Sequence, residues 1–122
     1  MKYFSLVICL FLGMHLFGQP PIQFKEVKHN FGKIKKNVPA TYIFSFSNSS
    51  PKPVIIESAV AECGCTTPVY DNKPILKGKT SDIKVTYNAA TPGAFTKKVT
   101  VKFANQAQPY ILTIEGEVVN KK

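Results

Sequence analysis

The chain has 122 residues, 44% of them hydrophobic and 19% charged, a size that supports one domain around a single core. Its 16 cations against 7 acids give a net charge of +9, and every cation is lysine. Without arginine the chain has no bidentate fork for phosphate or guanine, which argues against a nucleic-acid reader.

The first element in chain order is a leader. Lys2 gives a positive start, Tyr3 to Phe17 form an apolar stretch, and Gly18 is a small residue at a cleavage point. That order predicts a secretory signal peptide over 1–18. The apolar run of about 15 residues is shorter than the roughly 20 a helix needs to span a bilayer, so a permanent anchor is the weaker reading. Cys9 lies inside this stretch behind bulky Ile8, which does not suit a lipidation signal, and is expected to leave with the leader. Removing 18 residues from 122 leaves a single domain of 104 over 19–122, with 15 lysines against 7 acids, a charge of +8. The lysines are scattered, with pairs only at Lys35-Lys36, Lys97-Lys98 and Lys121-Lys122. They read as a solvated basic surface, or alternatively as an attraction to an anionic envelope or polysaccharide.

Short alternating runs follow. Strands are predicted at 22–27, continuing through 31–34 after a kink at Asn30-Phe31-Gly32 that switches the chain between sheets, and at 41–47 and 54–60. Further strands are predicted at 81–87, 95–103 and 110–118. Tyr42, Phe44 and Phe46 fall on one face, as do Ile83, Val85 and Tyr87, then Val99, Val101 and Phe103, then Tyr110, Leu112, Ile114 and Val118. Lysine, threonine, serine and glutamate occupy the alternate positions, the period-two pattern of strands buried on one face. Asn48-Ser49-Ser50-Pro51, Lys77-Gly78-Lys79, Thr91-Pro92-Gly93 and 105–109 separate the runs with turn chemistry. An all-β antiparallel sandwich of about seven strands is predicted, with a closed barrel as the alternative. There is no tryptophan and no cysteine pair on distant strands to bridge the sheets. The core must rest on Phe44, Phe46, Tyr87, Phe95, Phe103, Leu112 and Ile114, each contributing about 1.5–3 kcal/mol before entropy is counted.

An ordered set of motifs spans nearly all of the mature chain. It runs from His29-Asn30-Phe31-Gly32-Lys33-Ile34 through Phe44-Ser45-Phe46-Ser47-Asn48-Ser49 to Cys63-Gly64-Cys65-Thr66-Thr67-Pro68. Pro74-Ile75 to Gly78, Ile83-Lys84-Val85-Thr86-Tyr87 and Gly93-Ala94-Phe95-Thr96-Lys97 complete it. In these the chain resembles the bacterial DUF1573 proteins, exported immunoglobulin-like domains akin in architecture to ASH and Hydin modules. It departs at Ser49, where that family often has Gly, and at Lys77, where Pro commonly precedes Gly78. The resemblance implies an immunoglobulin-like fold and an address in the bacterial periplasm or envelope, or outside the cell. It implies no catalytic role.

Cys63 and Cys65 are the two thiols of the mature chain, placed in the loop after the predicted 54–60 strand. Four readings stand open for them: a local disulfide, apolar packing at the loop base, thiol–disulfide exchange with an envelope partner, or a soft ion such as Cu(I). A local disulfide requires the chain to bend, and Gly64 is expected to allow that bend. The same end of the sandwich is expected to carry Lys35 and Lys36, whose ammonium groups would favour a thiolate. His29 is not assigned as a ligand; a tetrahedral zinc site needs four, more than this inventory supplies. No paired carboxylates, nucleophile elbow or phosphate-binding glycine loop is apparent, so neither a catalytic residue nor a cofactor is assigned. The expectation is an exported, non-catalytic binding or scaffolding module with a protein partner in the envelope. The alternative is a redox or soft-metal accessory protein using the thiol pair.

Overall fold

In the computed structural model, which describes residues 20–120, each alternating run becomes a strand with its apolar positions turned inward. The predicted leader over 1–18 lies outside the described residues. The strands are β1 (Ile22–Phe24), β2 (Lys28–Lys35), β3 (Ala40–Asn48), β4 (Ile56–Ala61), β5 (Thr66–Tyr70), β6 (Thr80–Tyr87), β7 (Gly93–Phe103) and β8 (Tyr110–Val119). One sheet has the order β1-β3-β6-β5 and the other β2-β8-β7-β4. The fold is an immunoglobulin-like sandwich of eight strands. The strand added to the predicted set is β5, whose five residues include Pro68 and follow directly on the cysteine loop.

Two features of the first segment differ from the sequence expectation. The chain changes sheets between β1 and β2, at residues 25–27, rather than at Asn30-Phe31-Gly32. That tripeptide is instead an irregularity inside β2, where the register with β8 shifts between Asn30 and Lys33. Gly32 adopts φ 68°, and its N–H is bonded at 2.7 Å to the Asn30 side-chain oxygen, a bulge that a side chain with Cβ would oppose. The second difference is that β2 runs parallel to β8, whereas the other strand pairs are antiparallel. The bulge is accommodated across the pair by Gly116, where a Cβ would lie 2.8 Å from the Gly32 carbonyl oxygen and 3.0 Å from the Phe95 ring.

The core forms where the two inner faces meet. Phe44, Phe46, Ile83 and Val85 from the first sheet face Val99, Val101, Phe103, Leu112 and Ile114 from the second, all buried. Rings join across the gap: Phe46 meets Phe103 edge-on at 5.4 Å, and Tyr87 stacks on Phe95 at 4.0 Å. Such pairs contribute about 0.5–1.5 kcal/mol beyond the area they bury. Lys28–Glu115 and Lys102–Glu57, each at 3.4 Å, lie on the surface and contribute about 0–1 kcal/mol apiece.

One end of the sandwich is organised by a polar side chain. Asn48, the last residue of β3, is 0% exposed. Its Nδ2 donates to the carbonyls of Lys52 and Ile75, both at 2.8 Å. Its Oδ1 accepts from the Ser50 N–H at 2.9 Å and the Ser50 hydroxyl at 2.7 Å. Its own N–H and carbonyl bond Lys79 O and Gly78 N at 2.9 and 2.8 Å. Truncation would remove the four side-chain bonds, each worth about 0.5–1.5 kcal/mol. The Lys52 and Ile75 carbonyls would keep the Ser50 hydroxyl and the Val54 N–H as donors, while the Ser50 N–H would lose its partner. Asn48→Ala is therefore expected to lower stability by about 2–4 kcal/mol in a urea titration. Asn48→Asp should do similar damage, since a carboxylate offers no donor to Lys52 and Ile75. A midpoint unchanged in both variants would remove this role.

Candidate functional site

The cysteine loop, residues 62–65, connects β4 of one sheet to β5 of the other. Its chain turns tightly: the Thr66 N–H reaches the Cys63 carbonyl at 3.4 Å, bringing the Cα atoms of Cys63 and Cys65 to 5.2 Å. That separation lies within the range a disulfide permits, about 4.4–6.8 Å, and the two sulfurs are bonded. Both residues are half-buried. Cys65 packs against the core cluster, whereas Cys63 stands outside it. Thr66, 4% exposed, sets its hydroxyl 3.7 Å from the sulfur of Cys63 and 3.6 Å from that of Cys65.

The expected role of Gly64 is not what the geometry uses. Gly64 is not among the glycines with positive φ, and a Cβ built on it meets nothing within 4 Å. The bend is an ordinary turn that an L-residue can make, so glycine's extra freedom is not what permits it.

Lys35 and Lys36 fall at the same end of the sandwich. The Lys36 N–H bonds Val119 O at 3.0 Å, the Asn37 N–H bonds Ala89 O at 2.9 Å, and the Asn88 N–H bonds Cys65 O at 2.9 Å. Main-chain bonds thus tie three loops together, from the lysine turn through residues 88–90 to the cysteines. Both lysines are exposed. With the sulfurs bridged there is no thiol proton for their ammonium groups to act on. Ala89, fully buried, holds φ 57°, a left-handed conformation that costs an L-residue about 1–2 kcal/mol. The strain sits one residue from the bond to Cys65, at the centre of the loop cluster.

A second constellation went unforeseen. Tyr42 of β3 stacks on His29 of β2 with ring centres 3.7 Å apart and planes 5° from parallel, and its hydroxyl donates to the Glu26 carboxylate. Tyr42 shares the face of Phe44 and Phe46, as the alternation predicts, and is half-buried where it packs against the core cluster. There it links the crossing at 25–27 to β2 and β3. The hydrogen bond to Glu26, then burial, then the Glu26 charge hold the Tyr42 phenol above the usual tyrosine range. The signal in the sequence was slight, a glutamate and a histidine flanking a sheet switch whose position was not legible.

Two four-stranded sheets, joined by a segment that crosses early and by loops gathered at the ends, define an immunoglobulin-like sandwich. The chain belongs to the family described as Protein of unknown function (DUF1573), whose model matches residues 22–118. A protein of unknown function from Porphyromonas gingivalis W83 is similar in structure, with TM-score 0.68 and 13% identity over 79% of this chain and 46% of that one. The VesB protease of Vibrio cholerae gives 0.63 and 10%, over 80% of this chain and 32% of the other. The ASH / PapD-like domain 7 of human CEP192 gives 0.66 and 8%, over 88% and 93%. The chain therefore spans less than half the length of the first two structures. At these identities the likeness is one of fold.

Two outcomes test this geometry. Gly64→Ala should fold, keep its disulfide by thiol counting, and be unchanged or more stable by up to about 1 kcal/mol, because alanine restricts the unfolded chain. A loss beyond that would return the bend to glycine. The raised Tyr42 pKa means the folded state holds that proton more tightly than the unfolded one. The resulting stabilisation is present below the ordinary tyrosine pKa of about 10 and is lost as pH rises through the raised value. In a tyrosinate absorbance titration of Tyr42, followed by difference against Tyr42→Phe, Glu26→Gln should lower that ionisation. An unmoved titration would refute the pairing.

Proposed function

We propose that this protein is an exported, non-catalytic contact module of the bacterial envelope, which binds a protein partner along the side formed by β4, the cysteine loop and β5. The observation that carries this reading is the exposed apolar pair flanking the loop. Val60 on β4 is 60% exposed and Val69 on β5 is 56% exposed. Each extends into a row across its sheet, Val60 through Thr100 to Ile111, and Val69 through Lys84 to Ile43. Isolated apolar residues on a surface carry no meaning. The rows lie on the outward faces of the two sheets, on either side of the edge that β4 and β5 form, so a partner that wraps this edge would meet both.

Placement in the envelope rests on the leader-like start and on the family resemblance. The lysine-rich surface favours an acidic rim on the partner, which would raise the rate of encounter more than the affinity.

The test is photocrosslinking in cells, with the reactive side chain at position 60 or 69 and a control at Lys33 on the opposite edge strand. Positions 60 and 69 should yield the same protein adduct in the envelope fraction, and Lys33 should not. Val60→Asp with Val69→Asp should reduce adduct formation about tenfold or more, equivalent to about 1.4 kcal/mol of lost binding. A protein retained in the cytoplasm, or adducts equal at all three positions, would overturn the reading.

A further inference from the structure

We propose that the Cys63–Cys65 disulfide is a thiol–disulfide exchange site that accepts two electrons from a protein dithiol, with the Thr66 hydroxyl stabilising the sulfur that departs. The bond closes a loop between residues only two apart in sequence, so it constrains the unfolded chain little. The loops at this end are already held by main-chain bonds through Asn37, Asn88 and Ala89. The fold therefore does not require the bridge, and opening it would leave the sandwich standing.

The surroundings distinguish the two sulfurs. Cys65 packs on the core and is pinned through its carbonyl by the Asn88 N–H, whereas Cys63 lies outside the core cluster. An incoming thiolate thus meets Cys63 first. It forms a bond to the Cys63 sulfur while the Cys63–Cys65 bond breaks, and the electron pair leaves on Cys65. The Thr66 hydroxyl lies 3.6 Å from that sulfur and can donate to the new thiolate. The partner's second thiolate then attacks its own sulfur in the mixed disulfide, releasing Cys63 as a thiolate 3.7 Å from the same hydroxyl. The partner ends as a disulfide, the site ends as a dithiol, and each sulfur here takes up a proton from solvent. Exchange is faster when the departing thiolate is stabilised, which is the contribution of Thr66. The neighbouring Glu62 carboxylate is held toward β7, where it accepts from the Lys98 N–H at 2.9 Å.

The purified, folded protein provides the test, independently of any envelope partner. A reduced two-cysteine peptide is the substrate, and alkylation with mass spectrometry reports the redox state of each molecule. The native protein should oxidise the peptide one for one while its far-ultraviolet circular dichroism stays constant. Thr66→Val should slow this about tenfold, the effect of losing one hydrogen bond to a charged group, and Thr66→Ser should restore the rate. Should Thr66→Val not fold, the single-cysteine variants decide. Cys65→Ser, leaving Cys63, should form a mixed disulfide with an oxidised cysteine peptide faster than Cys63→Ser does. Equal rates for the two, a Thr66→Val rate equal to native, or a bridge reduced only after unfolding would each overturn the proposal.

Discussion

The amide of Asn48 uses its full bonding capacity inside the protein, and the geometry of one whole end follows from that. Two donors go to Lys52 and Ile75, and the oxygen receives two bonds from Ser50. The segment after β3 and the segment before β6 are therefore fixed to one side chain. Val54 and Ile75 then pair as an isolated bridge, with bonds of 3.0 and 2.7 Å, and both enter the core. A buried polar group is tolerable only when every capacity is met, and here it is, so the group specifies a single arrangement of two long connections. With that end fixed, the stagger of β3 against β6 is fixed too, and the cysteine loop emerges at the other end.

The two ends use different means. At the Asn48 end a side chain replaces missing main-chain partners. At the cysteine end the loops bond one another through the main chain, from Asn37 to Ala89 and from Asn88 to Cys65. Ala89 accepts a left-handed conformation to keep that relay in register. The methyl group is buried, which favours alanine over the asparagine that would relax the backbone but bury an amide. The disulfide is added to an arrangement that is already closed. Its position is therefore better explained by what its sulfurs can meet than by what they hold together.

Much of the sandwich was legible because burial on one face of a strand leaves a trace at every second residue. Ile83, Val85 and Tyr87, or Val99, Val101 and Phe103, show it without interruption, and all six are buried. β5 left no such trace. Thr66, Thr67, Val69 and Tyr70 favour a strand, but Pro68 interrupts them and Val69 faces outward, so no apolar alternation marks the strand that pairing with β6 forms. The sheet switch was misplaced because Gly32 signals an irregular backbone without saying whether the cause is a bulge or a crossing. Asn48 read as a turn residue, which it is, but a turn signal carries no information about burial. The Tyr42–His29 stack joins different sheets, and a period along one strand is silent about the strand opposite. At the site, the pairing of Cys63 with Cys65 was one of several open readings, while the contact of both sulfurs with Thr66 had no sequence signature.

The four edge strands limit how another chain could approach. β1 is three residues long, β2 carries the Asn30–Lys33 irregularity, β4 shifts register between Ile56 and Ser58, and β5 has Pro68 at its centre. Each interruption removes a run of evenly spaced main-chain donors and acceptors, so none of the edges offers a long template for strand addition. A partner that cannot extend the sheet must bind through side chains, and each of the two strands that the cysteine loop joins carries an exposed valine, Val60 on β4 and Val69 on β5. Contact along β4 and β5 would bring the partner's own residues beside Cys63, the sulfur that is not packed on the core. Protected edges and an accessible sulfur are therefore compatible features of one surface. The interruptions that discourage indiscriminate strand pairing leave that surface to be recognised by shape and chemistry.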